Sequence, residues 1–145
     1  MLPILHKLIG RPRGKTRALV ITPTRELAAQ ILESTLSFAT HTGVSAAAIF
    51  GGVGMGPQEH ALRSGVDVII ATPGRLLDHL RNDYAKLEHI EFLVLDEADR
   101  MLDMGFLPDI RRVLRHLTHK RQTLFFSATM PRPIGELAQE MLHRP

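Results

Sequence analysis

Phe92-Leu93-Val94-Leu95-Asp96-Glu97-Ala98-Asp99 decides how this chain reads, because four consecutive apolar residues give way to acids without a spacer. An apolar run without alternation suits a strand buried on both faces of a parallel sheet, although so short a run also suits a buried helix segment. Open parallel sheets hold ligands outside the carboxyl ends of their strands, and on that reading Asp96 and Glu97 project into a crevice. Carboxylates there call for a cation or a hydrogen-bonding partner, since unpaired buried charge is costly. The competing reading makes the acids the first turn of a helix, where carboxylates meet the positive end of the helix dipole.

The segments on either side favour the sheet. Upstream, Arg17 to Thr22 encloses the apolar run Ala18-Leu19-Val20-Ile21, a short buried strand. Pro23-Thr24 then opens a long helix, with Thr24 as its cap and Leu27, Ile31 and Leu36 on its inner face. Val44 to Phe50 reads as a second strand ending at Gly51-Gly52, and Gly56-Pro57 starts a helix that runs through Leu62 and stops near Gly65. Asp67 to Ala71 is a third strand, and a helix follows from Pro73. Downstream of the opening stretch come a short helix, a longer one from Leu107 to Leu117, the strand Thr123 to Phe126 and a last helix after Pro131. Leu2 to Leu8 has the spacing of an amphipathic helix, with Leu5, Leu8 and Ile9 on one side, but no cap precedes it. Strands alternating with helices predict an α/β fold with a parallel sheet flanked by helices and right-handed crossovers.

A chain of 145 residues holds enough material for one substantial core, and 44% apolar with 23% charged residues is the balance of an ordinary globular protein. Net charge is only +3, yet 14 of the 18 basic residues are arginine, which favours planar contact with phosphates or carboxylates. The lack of cysteine excludes disulfides and thiolate zinc sites and is compatible with the reducing cytoplasm, where the chain is expected. No apolar run approaches the roughly 20 residues of a membrane helix, and no secretory pattern opens the sequence, so no membrane partner is expected. His116 and His119 stand three apart without a third ligand at metal spacing and read as solvent-facing. Aromatic residues are too few for base stacking to be the main binding mode.

Gly10-Arg11-Pro12-Arg13-Gly14-Lys15-Thr16 imitates a phosphate-binding loop but has three residues between its glycines where the motif needs four. A strand follows it, whereas a phosphate loop must open a helix whose amides face the anion. It reads as a solvated basic loop.

Asp96-Glu97-Ala98-Asp99, Pro23-Thr24-Arg25-Glu26-Leu27-Ala28, Thr72-Pro73-Gly74-Arg75 and Ser127-Ala128-Thr129, with the weaker Gly51-Gly52, occur in the order found in DEAD-box ATP-dependent RNA helicases, and the chain resembles that family over nearly its whole length. In that family the phosphate loop lies just before a segment like Leu2-Pro3-Ile4-Leu5. The resemblance therefore implies a RecA-like P-loop NTPase lobe over residues 1–145 that lacks its first strand and phosphate loop, with the second helicase domain absent. It implies that Asp96 holds a magnesium ion, Glu97 orients or deprotonates the attacking water, and Asp99 couples to Ser127 and Thr129. Pro23, Thr24, Arg25, Gly51, Gly52, Thr72, Pro73, Gly74 and Arg75 would carry the RNA backbone without reading its sequence. Arg25 or Arg75 could instead brace the loops by pairing with Glu26 or Asp78.

The complete relative would use ATP and Mg2+, RNA and a second helicase domain to separate short duplexes. For this chain alone the expectation is no tight nucleotide binding and negligible turnover, or a noncatalytic RNA-binding or interaction module. The strand containing Leu124-Phe125-Phe126 is expected to be an unprotected edge that promotes self-association.

Overall fold

The computed structural model describes residues 2–118 and 120–142. His119 lies outside them, and with it that half of the solvent-facing reading; His116 is exposed, as expected. Five strands form one parallel sheet: β1 Ala18–Ile21, β2 Ala46–Ile49, β3 Val68–Ala71, β4 Phe92–Leu95 and β5 Gln122–Phe125, in the order β2-β3-β1-β4-β5. Among the described residues seven helices connect and cover them: α1 Leu2–Leu8, α2 Arg25–Ala39, α3 Met55–Ser64, α4 Pro73–Leu80, α5 Ala98–Asp103, α6 Leu107–Leu114 and α7 Arg132–Leu142. This is a RecA-like α/β arrangement, as the sequence predicted.

Ala18, Val68 and Phe92 stand abreast in the three central strands, and the register continues to Ile21, Ala71 and Leu95. Successive side chains alternate across a sheet. Ala18, Val20, Val68, Ile70, Phe92 and Val94 accordingly pack with residues of α1 and α2, including Leu5, Leu8 and Ala28. Leu19, Ile21, Ile69, Ala71, Leu93 and Leu95 pack on the other face with residues of α3 through α7. Every residue of β1, β3 and β4 is buried, so these strands read as unbroken apolar runs.

Local signals set the helix ends. The Thr24 hydroxyl accepts from the Leu27 amide at 3.2 Å and caps α2. Gly65 ends α3 in the left-handed region at φ 67°, and a Cβ there would collide with the Gly14 carbonyl. Two expectations fail. Leu36 is 46% exposed, because the inner face of α2 runs through Ala28, Thr35 and Ala39; Thr35 is accommodated there by donating to the Ile31 carbonyl at 2.7 Å. Ile9 is 45% exposed, because α1 stops at Leu8 and the chain turns away. The second strand is shorter than the apolar pattern Val44 to Phe50, and α6 ends at Leu114 with a tight turn carrying Leu117 back into the core.

Ion pairs fasten the loops at the amino ends of the strands. Glu91, just before β4, receives Arg11 at 2.6 and 2.7 Å and Arg17 at 2.7 Å. Burial pushes the Glu91 carboxyl up, but hydrogen bonds from both arginines outweigh it and hold it below its ordinary value. Asp67, buried before β3, accepts from the Ser45 amide at 2.8 Å and pairs with Arg13 at 3.2 Å. The basic loop from Gly10 to Thr16 thus anchors the sheet through Arg11 and Arg13, while Lys15 is exposed. Leu93 is fully buried in β4, and Leu93→Ala is expected to lower stability by about 3 kcal/mol, measured by chemical denaturation.

Candidate functional site

Because all five strands run parallel, their carboxyl ends lie along one rim, and the sequence-predicted residues follow them in the order Gly51, Thr72, Pro23, Asp96, Ser127. The rim has two parts. One lies beyond β4 and β5 and is acidic; the other lies beyond β2, β3 and β1 and is built of glycine, proline, threonine and arginine.

In the acidic part the Asp96 amide donates to the Ile21 carbonyl at 3.0 Å, and the Ala98 amide donates to the Phe126 carbonyl at 3.1 Å. Glu97, between them, has left-handed backbone angles of φ 54° and ψ 51°, and among the described residues it is the one non-glycine with positive φ. That conformation costs an L-residue about 1–2 kcal/mol. It turns the chain sharply, so that only Asp96 and Glu97 separate β4 from α5. Glu97 lies 3.4 Å from Arg100. Asp96 and Glu97 line an open cleft of about 430 Å³ together with Asp99, Arg100, Phe126, Ser127 and Ala128. Burial and then the neighbouring Glu97 charge raise the Asp96 pKa above its ordinary value, and no basic side chain among the described residues offsets them. A half-buried carboxylate with a like-charged neighbour is suited to a cation.

Asp99, Ser127 and Thr129 meet at the corner of this cleft. The Asp99 carboxylate accepts from the Thr129 hydroxyl at 2.9 Å and the Thr129 amide at 3.1 Å. The Ser127 hydroxyl accepts from the Asp99 amide at 3.1 Å and donates to the Thr129 carbonyl at 2.6 Å. The start of α5 is thereby tied to the segment that follows β5. The Thr129 hydroxyl is the largest influence holding the Asp99 pKa below its ordinary value.

The other part of the rim is braced. The Arg75 guanidinium donates to the Val53 carbonyl at 2.9 Å and to Gln58 Oε1 at 3.3 Å, and lies 4.0 Å from Asp78. Its side chain is 16% exposed, so bracing occupies most of it. Arg25 is exposed and stacks over the Phe50 ring with 5.5 Å to the centroid. Gly52, at φ 85°, lies so close to the Arg25 guanidinium that a Cβ would collide with it. Thr72 caps α4 through its backbone, Pro73 takes the first turn, and a Cβ at Gly74 would meet nothing within 4 Å. Pro23 is buried and Thr24 is committed to its cap. Sequence reasoning missed Gln58 and His79, which are buried beneath these loops. A glutamine and a histidine on helices give no periodic signal that they lie inside.

A parallel sheet covered on both faces, with an acidic pair where one strand meets a helix, defines a RecA-like lobe. Residues 1–137 match the profile of the DEAD/DEAH box helicase family. The chain is 45% identical over 141 residues to DEAD-box ATP-dependent RNA helicase 40 of Oryza sativa subsp. japonica, covering 97% of this chain and 18% of the relative. To DEAD-box ATP-dependent RNA helicase 30 of Arabidopsis thaliana it is 46% identical over 149 residues, covering all of this chain and 25% of the relative. To ATP-dependent RNA helicase CshA of Listeria monocytogenes it is 43% identical over 144 residues, covering 99% of this chain and 28% of the relative. The chain belongs to the DEAD/DEAH box helicase family. It spans between 18% and 28% of the length of these curated relatives.

Thr129→Val removes the hydroxyl donated to Asp99 and is expected to move the Asp99 titration upward toward its ordinary 3.8, read from side-chain carboxyl NMR shifts. The depressed folded-state pKa means that the stabilisation is present above 3.8 and is lost as pH falls through the folded value, so the variant loses part of this acid-sensitive contribution.

Proposed function

We propose that this chain supplies the hydrolytic corner and part of the RNA track of an ATP-dependent RNA helicase. The observation that supports this is the shared rim: parallel pairing aligns the Asp96–Glu97 corner and the Arg25, Gly51-Gly52 and Thr72–Arg75 segments along one edge. Phosphoryl transfer to water needs clamped phosphates, an oriented nucleophile and neutralised charge. Asp96 suits magnesium, which is commonly held by one or two carboxylates together with water and nucleotide phosphates. That fits a half-buried Asp96 without a basic partner and the lack, among the described residues, of a cluster of three ligands. Bound there, the ion would neutralise phosphate charge. Glu97 orients the attacking water and accepts its proton, and Asp99 links that corner to Ser127 and Thr129.

RNA contact falls to the other half of the rim. Glycines at 51 and 74 let a sugar-phosphate backbone approach closely, Gly52 makes room for the Arg25 guanidinium, and the start of α4 after Thr72-Pro73 offers amides to phosphate oxygens. Arg25 carries exposed charge, while Arg75 holds the Gly51–Val53 loop in shape. In the longer helicase, hydrolysis at the acidic corner would be coupled to local duplex separation. The 145-residue chain by itself is expected to bind RNA without appreciable ATP turnover, since its Gly10–Thr16 loop has neither the spacing nor the helix of a phosphate cradle.

Purified chain is expected to bind an unstructured oligonucleotide weakly and with strong salt dependence. Arg25→Ala should weaken binding and reduce the salt slope by about one. Binding indifferent to both Arg25→Ala and Arg75→Ala would remove the proposed track. RNA-stimulated ATP hydrolysis that Glu97→Gln abolishes would overturn the expected inactivity.

We further propose that the chain self-associates through β5. Among the described residues β5 pairs with β4 alone, and Leu124, Phe126 and Met130 on and beyond it are 36%, 51% and 57% exposed. An open edge with apolar side chains is a template for a second copy. Sedimentation velocity should show concentration-dependent dimers or larger species, and a monomer throughout a wide concentration range would refute this.

A further inference from the structure

Beneath the RNA-facing half of the rim runs a buried chain of polar side chains that neither hydrolysis nor direct phosphate contact uses. His79, fully buried on α4, has Nδ1 at 2.6 Å from the Tyr84 hydroxyl and Nε2 at 2.9 Å from Gln58 Oε1. Gln58, also buried, donates from Nε2 to the Phe50 carbonyl at 2.8 Å, and its Oε1 accepts from Arg75 at 3.3 Å. At the far end the Arg63 guanidinium lies over the Tyr84 ring at 4.9 Å from the centroid.

Each direction in this chain is forced. Guanidinium can only donate and a backbone carbonyl can only accept, so the Gln58 amide is oriented by Arg75 on one side and Phe50 on the other. His79 must then donate from Nε2 to Gln58, which leaves Nδ1 of the neutral ring to accept from the Tyr84 hydroxyl. Burial first and the Arg75 charge second lower the His79 pKa against weaker opposing effects of Asp78 and Glu59, consistent with a neutral ring.

Both arginines of the rim are held from this chain. Arg75 is fixed by Gln58 and the Val53 carbonyl. Arg25 stacks on Phe50, whose carbonyl Gln58 holds. The Gly51-Gly52 turn lies between these two anchor points, and glycines have no side chains with which to fix themselves.

We propose that Gln58, His79 and Tyr84 are positioning residues for RNA backbone binding, a relay that sets the Gly51–Val53 loop and the two arginines in one geometry before RNA arrives. This rests on the reading that the rim contacts RNA. The relay makes no RNA contact of its own: Gln58 and His79 are buried, and their influence passes through Phe50, Arg25 and Arg75.

The test measures binding of fluorescent oligouridylate by the 145-residue chain, with thermal melting of each variant. Gln58→Glu keeps the shape but replaces the donor facing Phe50 with an acceptor, and is expected to weaken binding about tenfold with a cooperative melt retained. In an Arg25→Ala/Arg75→Ala background at low salt, the same change should cost less than about twofold, because the arginines through which it acts are gone. A general loss of structure would cost affinity in both backgrounds, and that result overturns the relay. The chain has one tyrosine and no tryptophan, so tyrosine emission reports Tyr84 alone. His79→Gln should change that emission in the chain without RNA, because it removes the ring nitrogen that accepts from the Tyr84 hydroxyl. If Gln58→Glu does not melt cooperatively, His79→Gln and Tyr84→Phe carry the affinity test, the latter losing one hydroxyl while keeping the ring.

Binding that needs both arginines but ignores these relay variants, or Tyr84 emission that His79→Gln leaves unchanged, overturns the relay alone. No RNA binding by the wild type, or binding that does not depend on either arginine, overturns the RNA reading and the relay with it.

Discussion

Parallel hydrogen bonding of β1 to both β3 and β4 is the constraint on which the remaining geometry depends. With β1 in the middle, Ile21 sits beside Ala71 on one side and Leu95 on the other, so three chain segments leave the sheet at the same height. Their backbone groups are then shared across the rim: the Thr22 amide donates to the Ala71 carbonyl at 3.0 Å, and the Asp96 amide donates to Ile21 at 3.0 Å. The acidic corner and the arginine-bearing loops are therefore parts of one hydrogen-bonded frame. A slip of one residue in β4 would turn Leu93 and Leu95 toward α1 and α2 and disrupt both cores at once.

The two halves of the rim are stiffened by different means. At the acidic corner the ties are hydrogen bonds across about thirty residues of sequence, from the Thr129 amide to the Asp99 carboxylate and from the Ala98 amide to the Phe126 carbonyl. On the other side the loops are held from below, by an arginine that crosses from α4 to Val53 and a glutamine that crosses from α3 to Phe50. The amino ends of the strands have their own fastening, in which Glu91 gathers Arg11 and Arg17 and Asp67 gathers Arg13 and Ser45. Arginine is so frequent here partly because it performs these structural tasks, since one planar group can serve several oxygens.

Local chemistry made most of the fold legible. Ala18 to Ile21, Val68 to Ala71 and Phe92 to Leu95 are apolar at every position, which suits a strand covered on both faces, and the helix signals between them decided against buried helix. Thr24 and Gly65 mark helix ends because the hydroxyl and the missing Cβ each act within a few residues of chain. The failures have physical causes. Leu36 looked internal by periodicity, but Thr35 takes the inward place by satisfying its hydroxyl within its own helix. Family resemblance brought Asp99, Ser127 and Thr129 together in the reading, and they do meet in space, though spacing alone could not have placed them. Gln58, His79 and Asp67 were illegible as buried groups, because their partners lie about twenty residues away and become neighbours only after the sheet has formed.

The left-handed backbone at Glu97 sets two demands on one residue against each other. Glycine would hold that shape more easily and relieve the steric penalty, yet it has no carboxylate. On the role proposed for Glu97, the strained peptide is what it takes to hold a carboxylate where glycine would sit more easily.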